Sequence, residues 1–236
     1  MLNIVLPRPY QSYKINNFFK IISGVSNDYS HFFKAPIRIT MSAGSLPYMY
    51  WNGRYNNNIG PGVLYHELND LALNKVRYPI LFNCDNIFIE EKDFFDSYAN
   101  LVLNTFHTGA NFIELNNLNL MQYLYEKYPN YYFVISEHYY LTGQSYDNDL
   151  LQKECIKYFR CSLKNTELLD IIPDKNKILL SINFPCFGCD NFSQCDISMQ
   201  ASQYSYSELC PTKNCPSFNA NRLICLSIDQ MQQFAK

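Results

Sequence analysis

Apolar residues along this chain come in two rhythms, short unbroken runs and longer stretches in which they recur every three or four positions. Residues 79–83 (Pro-Ile-Leu-Phe-Asn) form a run closed by a polar residue, the pattern of a buried parallel strand. In residues 91–107, Phe94, Phe95, Tyr98, Leu101, Val102 and Phe106 fall on one side at helical spacing, and acids occupy the first turn, where the helix dipole favours them. One helix is expected there. The alternation then repeats: a strand over 112–115, a helix over 118–127 stopped by Pro129, a strand over 132–136, a helix near 149–159, a short strand near Cys161, a helical turn around 166–171 and a strand over 178–182. Upstream, residues 37–41 read as an early strand and 62–76 as an amphipathic helix through Val63, Leu64, Leu68, Leu71 and Leu73.

Strands alternating with helices in this way predict an α/β fold with right-handed crossovers and a parallel sheet, either open and doubly wound or closed. Strands recur about every 20 to 35 residues, as they do in a barrel, and no Gly-x-Gly-x-x-Gly follows any strand to mark a dinucleotide fold. The expectation is a (β/α) barrel of the TIM type, whether complete, incomplete or distorted. It would occupy residues 1–183, with residues 184–236 forming a Cys-rich segment packed on the same domain.

Composition adds exclusions. A length of 236 residues with 47% hydrophobic and 17% charged residues suits one folded core rather than a disordered chain. Nineteen Lys+Arg against 21 Asp+Glu leave a net charge of -2, which denies the protein the broad positive field of a non-specific nucleic-acid binder but leaves a local basic patch open. No stretch nears the roughly 20 apolar residues that span a bilayer, and residues 1–7 are broken at Pro7 too soon for a signal peptide. A cytoplasmic protein with no membrane partner is expected.

In α/β folds of this kind, chemistry gathers at the carboxyl ends of the strands. The residues that follow the expected strands are polar: Asn52 and Arg54 after the first, Asn83 and Asp85 after the second, Asn116 after the third, Ser136 and His138 after the fourth. Together they form a candidate substrate pocket, with Asn side chains orienting a polar group and the Arg54 fork suited to a carboxylate or phosphate. Plainer readings stand beside this one. Asn52-Gly53 is a turn signal, Asn83, Asp85, Asn116 and Asn117 can each cap a helix, and His138 can be a solvated loop residue. Trp51 suits packing better than stacking on a substrate, and His31, His66 and His107 show no ligand-like spacing.

The strongest local signal is cysteine. Cys84, Cys155 and Cys161 are scattered, as free buried thiols would be, whereas Cys186, Cys189, Cys195, Cys210, Cys215 and Cys225 lie close together near the carboxyl end. Cys-x-x-Cys at 186 and 189 lets two sulphurs reach one metal, and later cysteines can complete a four-sulphur shell for zinc or an iron–sulphur cluster. Cys186, Cys189, Cys195, Cys210 and Cys215 are the candidate ligands, with the choice of four left open.

The stretch Cys189-Asp-Asn-Phe-Ser-Gln-Cys195-Asp-Ile197-Ser198, followed by Cys210 and Cys215, resembles the signature of the collagenase-like peptidase family, in which a cysteine, a Ser-Gly-x-Cys-x-aliphatic-Ser element and a later cysteine group recur. Trp51-Asn52-Gly53-Arg54, the strand ending in Asn83, Tyr128-Pro129 before the strand ending in Ser136, and Asn183 leading to the cysteines are similar to a set of uncharacterised bacterial proteins of the same motif order. The likeness runs over residues 46–211. It implies a β/α barrel with a [4Fe-4S] cluster on four cysteines and, as in several members, support for hydroxylation of tRNA, ribosomal RNA or ubiquinone precursors. The family's glycine is Ser193 here, and the Cys189-to-Cys195 spacing is one residue shorter. The Arg and His that follow the cysteine pair in the closer set are missing between Cys189 and Cys210, so no catalytic acid or base carries over.

These readings predict an iron–sulphur β/α-barrel protein with an oxidoreductase or hydroxylase-like role, its substrate a small molecule or RNA. The alternative is a non-catalytic accessory protein, working with a partner protein, in which zinc or a cluster staples the carboxyl-terminal segment. Peptidase chemistry is not expected, because no Ser-His-Asp, Cys-His or His-Glu-x-x-His spacing is present.

Overall fold

A computed structural model describes residues 2–6, 37–45, 50, 79–107, 111–162 and 167–181. They form an α/β fold around a parallel sheet of seven strands, β1 (Leu2–Leu6), β2 (Ile37–Ser45), β3 (Ile80–Asn83), β4 (Phe112–Leu115), β5 (Tyr132–Ile135), β6 (Ile156–Ser162) and β7 (Ile178–Ser181), in the spatial order of the chain. Every neighbouring pair is parallel. The sheet alternates with period two, as pleated strands must. Ile80, Phe82, Ile113, Leu115, Phe133, Ile135 and Phe159 point to one face and join the main core with residues of the helices. Leu81, Phe112, Val134 and Leu179 point to the other and form a second buried layer, with Tyr158 packed against it.

Five α-helices lie among the described residues: α1 (Ser97–Thr105), α2 (Leu118–Lys127), α3 (Glu137–Leu141), α4 (Asn148–Gln152) and α5 (Glu167–Ile171). Each of the first four starts on a side chain that satisfies an orphan backbone N–H. Asp96 accepts from Ala99 N at 2.7 Å, Asn117 from Leu120 N at 3.0 Å, Ser136 from His138 N at 3.0 Å and Asp147 from Leu150 N at 2.8 Å. After α3, Gly143 at φ 85° provides the left-handed residue that turns the chain, its N–H bonding the Tyr140 carbonyl at 2.9 Å.

Two of the expected elements differ. The single helix over 91–107 is a 3-10 turn at Glu91–Phe95 and then α1, because Asp96 leaves the helical conformation (φ -51°, ψ 117°) and caps the second piece. That break re-phases the apolar face, leaving Phe95 71% exposed and Leu101 50% exposed, while Ala99, Val102 and Leu103 are buried. The helix expected near 149–159 ends at Gln152, and the residues after it enter β6 instead. Ile156, Tyr158 and Phe159 are β-branched or aromatic and pack on the two faces of a pleated strand. β1 and the short α3 were not anticipated, and β2 runs past its expected end to Ser45. The helix expected over 62–76 and the segment 184–236 lie outside the described residues.

Asn100 ties α1 to its neighbours. Its Nδ2 donates to the carbonyls of Phe94 (2.9 Å) and Asp96 (2.8 Å), and its Oδ1 accepts from Lys127 Nζ (2.8 Å) and the Tyr128 hydroxyl (3.0 Å). A buried amide with every group partnered fixes the packing of α1 on α2. Among the described residues, no helix is long and apolar enough to cross a membrane.

The re-phased α1 face gives a direct check with one chemistry at two positions. Leu103→Ala, at 0% exposure, should lower the unfolding free energy by roughly 2–5 kcal/mol. Leu101→Ala should stay within about 0.5 kcal/mol of wild type. Urea denaturation of both variants would show it.

Candidate functional site

The sheet register decides which polar side chains meet. Asn83 stands beside Glu114, Leu115 beside Ile135, and Ile135 beside Phe159. Continuing each ladder by one or two residues sets Asp85, Asn116, Ser136 and Arg160 in one row at the carboxyl edge of the sheet. These positions share the face of the second apolar layer, directly above Leu81, Phe112 and Val134. The ladder itself runs to the edge, for Cys84 N donates to the Glu114 carbonyl at 2.7 Å and Ser136 N to the Leu115 carbonyl at 2.9 Å.

Asp85 is the hub of the row. Only 2% exposed, its carboxylate accepts from Asn116 Nδ2 at 2.7 Å through Oδ1 and from the Ser136 hydroxyl at 2.7 Å through Oδ2. His138, 5% exposed in the first turn of α3, brings Nδ1 into direct contact with the same Oδ2. A carboxylate on Nδ1 favours the ring proton there and orients the imidazole. Asn83 supports the turn, its Oδ1 accepting from Asp85 N at 3.2 Å.

Ser136, His138 and Asp85 do not make a nucleophilic triad. In such a triad the hydroxyl bonds the ring nitrogen opposite the carboxylate. Here Ser136 Oγ donates to Asp85, caps α3 and lies 3.2 Å from Nδ1, on the carboxylate's own side of the ring. Its role is to hold the acid, and the pair it holds can give or take a proton.

A second charged pair lies in the same face. Glu114 of β4 is fully buried, and Arg160 Nε of β6 stands 2.8 Å from its Oε1. The contact is ionic without being a hydrogen bond: the Nε–H is not aligned on that oxygen, and Nε has no acceptor. Burial raises the Glu114 carboxyl above the usual glutamate range, with Arg160 and His138 opposing and Asp85 and Glu137 adding to the rise. Burial, helped by Asp85 and Glu114, likewise raises the Cys84 thiol, and burial with Glu137 pushes Cys161 up to about 12. Neither thiol is poised as a nucleophile. Cys84, Cys155 and Cys161 are all free, as their scatter implied.

Of the residues singled out from sequence, Asp85, Asn116, Ser136 and His138 are thus brought together, and Asn83 adjoins them. His138 is not a solvated loop residue but a buried one, because α3 begins immediately after Ser136 and folds the ring back over Asp85. Among the candidate caps, Asn117 caps a helix, while Asn83, Asp85 and Asn116 bond one another. Glu114 and Arg160 were missed. Asn52, Arg54, Cys186, Cys189, Cys195, Cys210 and Cys215 lie outside the described residues. Among the described residues, no group of three His, Cys, Asp or Glu is arranged to hold a metal. No protein-family model, curated protein or solved structure matches this chain.

Two outcomes follow from the buried charges. Asp85→Ala leaves the Ser136 hydroxyl, the Asn116 amide and His138 Nδ1 without their acceptor, and should cost roughly 3–5 kcal/mol in urea denaturation. Glu114, its pKa raised on folding, keeps a proton in the folded state that the unfolded state releases, so its contribution to stability is lost as pH rises from the usual glutamate range toward neutrality. Glu114→Gln should flatten that part of the stability profile, measured as urea midpoints across the interval.

Proposed function

We propose that the chain is a (β/α)-barrel enzyme with an oxidoreductase or hydroxylase-like role, that Asp85 and His138 are its acid–base pair, and that the cysteine segment binds an iron–sulphur cluster or zinc. The observation that carries the reading is the Asp85–His138 pair. A carboxylate at 2% exposure, held by two side chains and touching an imidazole, is costly to bury and pre-set for proton transfer.

The barrel is supported by the strand order. With all neighbours parallel and in chain order, right-handed crossovers would put the connecting helices on one face of the sheet. The other face, with its apolar layer and polar row, then has only itself to pack on, and the two end strands β1 and β7 approach one another. A closed barrel meets both conditions, and its carboxyl end is where such folds keep their chemistry.

Support for the metal comes from sequence: the grouping of Cys186, Cys189, Cys195, Cys210 and Cys215 and their likeness to the cluster-binding family. When bound, a [4Fe-4S] cluster would supply one-electron chemistry, leaving the barrel residues to bind substrate and move the proton. The accessory-protein reading has one observation in its favour. Ser136 is also a helix cap, so part of the polar row has structural work.

Replacing the chromosomal gene by Asp85→Asn or His138→Gln separates the two readings. Both variants should remain folded by circular dichroism, retain iron or zinc, and fail to complement the deletion. Full complementation by both would remove the acid–base pair, and anaerobically purified wild type with neither iron nor zinc would remove the metal.

A further inference from the structure

The pair Glu114–Arg160 is not needed to move the proton assigned to Asp85 and His138, yet it stands in the same face. In a pair built for stability, the Arg fork would meet the carboxylate with aligned donors. This one does not. Arg160 Nε is 2.8 Å from Glu114 Oε1, is buried, and has no hydrogen-bond acceptor, while the side chain as a whole retains 16% exposure. The register puts Arg160 level with Ser136, one residue past the Ile135–Phe159 pairing, at the edge where Asp85 and His138 lie. A cation with an unmet donor therefore stands beside an acid–base pair.

We propose that Arg160 is a substrate-binding residue that receives a small anionic substrate through its carboxylate or phosphate, and that Glu114 gives up Arg160 to that anion and takes a proton from solvent as it does so. This rests on the acid–base site proposed above and names its substrate class. A planar oxyanion or a phosphate can offer the guanidinium the aligned acceptors that Glu114 does not.

The groups facing Glu114 set the proton balance. Arg160 on β6 and His138 on α3 favour its charged form, whereas Asp85 after β3 and Glu137 on α3 disfavour it, and the Cys84 thiol lies beside them. Once Arg160 turns to a ligand, a carboxylate in this dry, acidic setting has lost its main counter-charge, and neutralisation is the cheaper course. The site's charge is then conserved. One anion enters, one proton follows it to Glu114, and the Asp85–His138 pair keeps its own proton for the substrate.

The test is calorimetric titration of the full chain with inorganic phosphate and, separately, with succinate, at a pH above neutrality where Glu114 is ionised in the free protein, in buffers of different ionisation enthalpy. Wild type should bind at least one probe with uptake of about one proton per anion. The probe that binds identifies the oxyanion. Glu114→Gln should bind as tightly or more tightly without proton uptake, and Arg160→Gln should bind at least about ten-fold more weakly. Because Arg160→Gln alone leaves Glu114 buried without its counter-charge, the double variant Glu114→Gln/Arg160→Gln, with two neutral amides, carries the same test in a fold without the buried charges. It should bind neither probe. Absence of binding by folded wild type, wild-type affinity in the double variant, or proton uptake that persists in Glu114→Gln would each overturn the proposal. None of these outcomes bears on Asp85→Asn or His138→Gln, whose complementation is scored separately.

Discussion

Parallel strands that bond in steady register force a side chain's height and face to follow from its count along the strand. In this sheet that constraint acts on four consecutive strands, with one register shift, between Phe133 and Val134 in the β5–β6 ladder. Asp85, Asn116, Ser136 and Arg160 come from segments far apart in sequence, and the ladders from β3 to β6 bring them to one row. The same count puts Ile80, Phe82, Ile113 and Phe133 against the helices. A slip of one residue in any ladder would exchange the two sets, sending carboxylates into the main core. The apolar faces thus fix the polar row, and the row requires no special loop to assemble it.

Burial sets the behaviour of what the row contains. Asp85 is surrounded by donors and can remain an acceptor in a site that excludes water. Glu114 has one misaligned cation and acidic neighbours, and burial raises its carboxyl above the usual glutamate range. Two carboxylates on one face of one sheet therefore hold different tasks, and the difference lies in their partners rather than in residue type.

Much of this was legible. Short unbroken apolar runs located β3, β4, β5 and β7, and the rule that chemistry follows the strand ends led to Asp85, Asn116, Ser136 and His138. Glu114 and Arg160 escaped that rule because they lie within strands. For Arg160, a helical reading of 149–159 also stopped just short of it, hiding the alternation that begins at Tyr158. The missed signal was a charge inside an otherwise apolar strand, Glu114 between Ile113 and Leu115, for which burial demands a partner on a neighbouring strand. The break at Asp96 was hidden differently. Aspartate suits both the first turn of a helix and the cap of the next, and spacing alone does not separate the two uses.

The Ser136 hydroxyl serves two masters, donating to Asp85 and accepting from the backbone of His138. Whatever changes the demand of Asp85 on that proton also changes the first turn of α3, because one oxygen anchors both. The amide of His138 is consequently a built-in indicator of the acid–base pair, and its chemical shift and its exchange with deuterium report on the carboxylate without any label placed inside the site.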